Sequence, residues 1–154
     1  MLDIVDELRI FVVDLDTHGI DYALCGGMAM GVHGFMRMTV DIDLLIPSSE
    51  IDAVIAIAQD RGYTIRGKDL SFKDGAIEIR RISKIDQETG DILPLDFLLV
   101  TPAMQNVWDS RIQVEWEGGR LSVVTRDGLI TMKQLRGSSQ DLVDIERLEE
   151  DENA

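Results

Sequence analysis

Asp41 and Asp43 stand one residue apart at the head of an apolar run that continues Leu44-Leu45-Ile46. Side chains alternate faces along a strand, so the two carboxylates point the same way, with Cα atoms roughly 6–7 Å apart. Two acids side by side repel each other, and beside a hydrophobic strand they are costly to desolvate. A divalent cation removes both difficulties, and Mg²⁺ favours carboxylate oxygens combined with substrate phosphates. About fifteen residues earlier, the apolar run Tyr22-Ala23-Leu24-Cys25 ends in Gly26-Gly27 and opens a small-residue segment of helical character. Glycine lets backbone approach a ligand closely. A helix start also offers free N–H groups and the positive end of a dipole to a phosphate. One stretch, residues 22–46, therefore has parts for an anion and for a metal.

A third acid, Asp96, sits among Leu95, Phe97, Leu98 and Leu99. A carboxylate in such a strand needs a partner. Arg80 or Arg81, across an expected hairpin, would provide one as a salt bridge. Near the C-terminal end, Lys133 and Arg136 are three apart, as are Asp141 and Asp144. That spacing puts each pair on one helical face, where it could be a surface charge ladder.

The order strand, Gly26-Gly27, short helix, Gly34, Arg37, then Asp41-x-Asp43 resembles the nucleotidyltransferase superfamily of DNA polymerase beta type. The resemblance is greatest to small bacterial members, including antibiotic nucleotidyltransferases and toxin–antitoxin or abortive-infection proteins. It extends over nearly the whole chain, although residues 22–46 carry its specificity. It implies that Asp41, Asp43 and Asp96 are the catalytic, metal-holding acids for Mg²⁺ (or Mn²⁺). Asp96 would take the proton from an attacking hydroxyl or help hold the metal. It further implies that Gly26, Gly27, Arg37 and Lys133 bind a nucleoside triphosphate such as ATP, with Lys133 on the triphosphate. Arg136 and Asp144 would pair and hold the last two helices together. The implied activity is transfer of a nucleoside monophosphate to an acceptor hydroxyl with release of pyrophosphate. The acceptor stays open between small molecule, protein and RNA. The alternative is a non-catalytic nucleotide-binding protein, such as one half of a toxin–antitoxin pair, with a protein partner or a second copy of itself.

These residues need a scaffold. The chain of 154 residues suffices for one domain, residues 1–154, with an acidic tail at about 149–154. The expected fold is α/β (α+β), a mixed sheet with flanking helices. Helices are expected over residues 2–17, 28–34, 51–61, 101–111, 128–135 and 140–150, with a Ser N-cap before the third. Strands are expected over residues 22–25, 40–46, 63–65, 76–85 and 92–100, and a hairpin over 112–124 turning at Gly118-Gly119. Residues 68–75 read as a loop. The broken alternation at Arg80-Arg81 suggests a bulge. Pro94 argues against a central position for its end of the strand.

The formal charge of −14 argues against extended nucleic-acid binding. A single cysteine, Cys25, cannot form an intrachain disulfide and reads as buried filler. With no apolar run of membrane length and no signal-like start, a cytoplasmic location is expected. His18 and His33 are isolated. His33 lies close enough to Gly34 and the turn to touch a nucleotide, or to serve only the fold.

Overall fold

The structure is a computed structural model that describes residues 2–35 and 38–152. Arg37 lies outside the described residues. Helix α1 (Ile4–Thr17) is capped by Asp3, whose carboxylate accepts from the amides of Val5 and Asp6. Its Leu8, Phe11, Val12 and Leu15 are buried along one side. Strand β1 (Ala23–Cys25) follows, wholly buried, and runs directly into α2 (Gly26–Val32). The helix thus begins at Gly26, two residues before the small-residue segment suggested by the sequence. Strand β2 (Ile42–Ile46) is shorter than expected, leaving Asp41 on the bend just before it.

Helix α3 (Ile51–Asp60) is entered through a 3-10 turn at Ser48–Glu50, and no side chain caps it. The expected Ser N-cap is absent because that turn carries the chain into the helix instead. Residues read as a loop contain an edge strand: β3 (Ile65–Arg66) and β4 (Leu70–Phe72) both pair with β5 (Ile77–Ile85). The polar, glycine-bearing stretch hid that pairing. Strand β5 and β6 (Ile92–Leu99) form an antiparallel hairpin in unbroken register from Ile79↔Leu98 to Ile85↔Ile92. There is no bulge at Arg80-Arg81. The period looks broken because both arginines have acidic partners on their own faces.

The chain continues through α4 (Gln105–Asp109), the hairpin β7 (Ile112–Trp116) and β8 (Gly119–Val123), then α5 (Arg126–Arg136) and α6 (Ser139–Glu152). The β7–β8 turn is Glu117-Gly118, both at positive φ (50° and 76°), as a two-residue type I′ turn requires. Gly119 is already in the strand.

The sheet order is β3-β5-β6-β2-β1-β8-β7, with β4 beside β5. The β2–β6 and β1–β8 pairs are parallel and the others antiparallel, so the sheet is mixed. Pro94 lies beyond the last β2–β6 pair, Ile42↔Leu95, so its missing N–H takes nothing from that ladder; it pairs with Ser83 of β5. Phe97 leaves β6 on one face and stacks on Phe11 of α1, ring centroids 6.0 Å apart. Asp96 therefore leaves on the other face, the side closed by α4 and α5. Among the described residues no helix is long and apolar enough to cross a membrane.

Candidate active site

The site is assembled by register. Cys25 pairs with Asp43 across β1–β2, and Asp43 with Asp96 across β2–β6. These pairs put the ends of three central strands together on one face. One carboxylate oxygen from each of Asp41, Asp43 and Asp96 lies within 4.8 Å of the others. Among the described residues no other group of acids, histidines or cysteines converges in this way. The cost appears at Asp43. Burial first, then the charges of Asp41 and Asp96, push its carboxyl up to about 8 against the partial relief of Arg136 and Arg81. Three carboxylates that close form a hard-oxygen donor set suited to a divalent cation, whose charge would relieve Asp43.

Gly26 explains why the preceding strand ends as it does. Its φ is +70°, and a Cβ there would stand 2.1 Å from Oδ2 of Asp43. No other residue type lets α2 start against that carboxylate. Gly27, by contrast, faces a second, larger cavity of about 550 Å³ with Met28, Gly31 and Trp116. The two glycines thus divide between cavities, although both open α2 with no side-chain cap. His33 accompanies Gly27 there and is hydrogen-bonded through Nε2 to the carbonyl of Val124 at 2.8 Å. The second cavity is larger but, among the described residues, holds no cluster of acids.

The acid cavity is about 200 Å³ and has two characters. One half is charged: the three acids with Arg81, Lys133 and Arg136. The other is apolar, lined by Ile77, Ile79, Leu98, Met104, Leu129 and Met132. Cys25 lines it too, and burial pushes its thiol well above the usual range, which favours the protonated form.

Asp96 has the partner that its apolar setting demands. Arg81, directly opposite on β5, donates from Nε to Oδ1 at 2.6 Å and from Nη2 to Oδ2 at 2.8 Å. Arg80 instead turns to Glu78 and Asp69. A carboxylate offers about four lone-pair sites, so the bidentate bond leaves capacity on Asp96 for a further ligand. The salt bridge and the convergence of the three acids are both present.

Lys133 lies in the wall of the cavity, 3% exposed, with Nζ 3.0 Å from Asp144 Oδ2 and 3.9 Å from Asp141 Oδ1. Arg136 bonds Asp141 through Nε at 2.7 Å and through Nη2. The pairing expected of Arg136 with Asp144 is therefore exchanged: Lys133 takes Asp144 and Arg136 takes Asp141. The sequence suggests for Arg136 only a pairing with Asp144, yet it lines the cavity. Its signal was present in the three-residue spacing from Lys133, which places both on the same side of α5.

No protein-family model matches the chain, and curated proteins show no significant similarity to it. Solved structures do. A Thermotoga maritima protein, TM1012, provisionally named a nucleotidyltransferase, aligns over 96% of this chain and 88% of its own, with TM-score 0.55 and 14% identity. ANT(2")-Ia, solved in complex with adenylyl-2"-tobramycin, aligns over 94% of this chain and 86% of its own, with TM-score 0.60 and 16% identity. JHP933 from Helicobacter pylori aligns over 92% and 62%, with TM-score 0.56 and 16% identity. At such identities the likeness concerns architecture alone: this chain has the nucleotidyltransferase fold.

Proposed function

We propose that the protein is a metal-dependent nucleotidyltransferase that moves a nucleoside monophosphate from a nucleoside triphosphate to an acceptor hydroxyl. The observation that carries this reading is the convergence of Asp41, Asp43 and Asp96 beside the close-packed Gly26. Asp41, Asp43 and Asp96 would hold Mg²⁺ or Mn²⁺, which when bound supplies charge to the attacking and leaving oxygens. The start of α2 at Gly26, which lines the acid cavity, would face the phosphates, while Gly27 lines the second cavity. Asp96, fixed by Arg81, would orient the acceptor hydroxyl and accept its proton. The acceptor oxygen then bonds to the α-phosphorus as the α–β bridging bond breaks and pyrophosphate leaves. ANT(2")-Ia was solved with an adenylyl group joined to an acceptor, the product class that such a reaction yields.

A second reading, nucleotide binding without transfer, is favoured by one observation: Arg81 already engages both oxygens of Asp96. The first test is calorimetric titration of ATP with Mg²⁺ and after chelation. Affinity is expected to collapse on chelation, and equal affinity would refute a carboxylate–metal site. Labelled-ATP transfer by the wild type, lost in Asp43→Asn, then separates the enzyme from the binder.

A further inference from the structure

We infer that Arg136, rather than Lys133, is the side chain that receives the nucleotide's polyphosphate, and that Lys133 is the buried brace fixing α6 beneath it. The inference rests on the nucleotidyltransferase reading above and concerns the same cavity.

Both cations come from α5 and both line the charged half of the cavity. Their surroundings differ. The Lys133 side chain is 4% exposed and sits between two carboxylates that are themselves fully buried, Asp144 and Asp141. Its charge is balanced where it stands. Moving it onto a phosphate would take from fully buried Asp144 its 3.0 Å ion pair, whereas Asp141 would keep Arg136. The Arg136 side chain is 55% exposed. Asp141 takes two of the five donors of the guanidinium, those of Nε and one on Nη2, leaving the remainder for an acceptor from solvent.

Arg136 is also held in place. Asp141 is anchored by the amide of Ser138 at 3.0 Å and its hydroxyl at 2.6 Å, so the guanidinium plane is set before any ligand arrives. A planar fork already oriented matches phosphate oxygens better than a lone ammonium. Arg136 lines the same cavity as Asp41, Asp43 and Asp96. Arg81, the other exposed arginine of the cavity, makes the same two-donor bond, but to Asp96, a member of the cluster itself. The tether of Arg136 lies outside the cluster.

The test is titration of ATP, ADP and AMP, with Mg²⁺ present, into wild type, Arg136→Gln, Arg136→Lys and Lys133→Met. Arg136→Gln is expected to weaken ATP roughly tenfold while AMP changes about twofold or less, so the preference for longer phosphate chains shrinks. Arg136→Lys should restore part of it. Lys133→Met should lower the melting temperature yet leave ATP affinity within about twofold. If Lys133→Met does not fold, the Arg136 variants decide alone. ATP affinity undiminished in Arg136→Gln, or ATP and AMP weakened by the same factor, overturns the inference. Wild type that binds no ATP defeats the nucleotidyltransferase reading, and the inference with it.

Discussion

Asp43 is the residue at which structure and chemistry are in tension. Its folded carboxyl lies near 8 while its ordinary value is 3.8, so the folded state keeps a proton that the unfolded chain has released. Without metal, stability should therefore fall as pH rises between about 4 and 8. Asp43→Asn removes that slope. The variant should match the wild type near the acid end of this window. At its alkaline end it should exceed the wild type by about 2 kcal/mol, less than the full shift because Asp41 and Asp96 titrate together with Asp43. Urea unfolding in chelator across the window measures the difference, and parallel curves would contradict it. The strand period suggests that Asp41 and Asp43 share a face; Asp41 lies on the bend before β2, and the two carboxylates still converge. The choice of Arg81 over Arg80 was less legible. It needed the turn centre, and equal counting back from Gln87-Glu88-Thr89-Gly90 on both strands selects Arg81.

The α5–α6 pair shows how elements fix a site from outside it. Gly137, in the left-handed region, ends α5, and its amide returns to the carbonyl of Lys133 at 2.8 Å. The turn lets α6 fold back so that Asp141 and Asp144 meet Arg136 and Lys133. Breaking a buried ion pair from one side leaves an uncompensated charge. Asp144→Ala should cost about 3 kcal/mol in urea unfolding. A loss below about 1 kcal/mol would mean that the pair behaves as an exposed one. From the sequence, both helices and their facing charges could be read, whereas the partner assignment could not. Spacing along one helix says which side chains share a face, not how the next helix is rotated against it. The same limit applied to β4, whose partner β5 supplies a pairing that local composition does not announce.

At the scale of the molecule, the fold class was readable because periodic helices alternate with apolar strands, and the structure is the expected mixed sheet between helices. The strand order was not readable. Parallel neighbours such as β2 and β6 are joined by a long crossover, and nothing in either strand names the other. The net charge is −14. The cavity nonetheless gathers Arg81, Lys133 and Arg136 about its acids. A polyanionic nucleotide would thus meet a locally mixed field on an acidic protein, which suits a compact ligand better than a long phosphate backbone.

The cross-strand bond between Arg81 and Asp96 also bears on how the molecule folds. It closes within a local hairpin, fifteen residues apart, whereas Asp43 and Asp96 meet only when β6 docks on β2. Local contacts form early and distant ones late. Asp96 would therefore arrive at Asp43 already neutralised, and the docking step would not have to press two bare carboxylates together. Arg81→Ala should then slow refolding more than it speeds unfolding, a pattern that stopped-flow chevrons read directly. An unchanged folding limb would place the bond after the rate-limiting step.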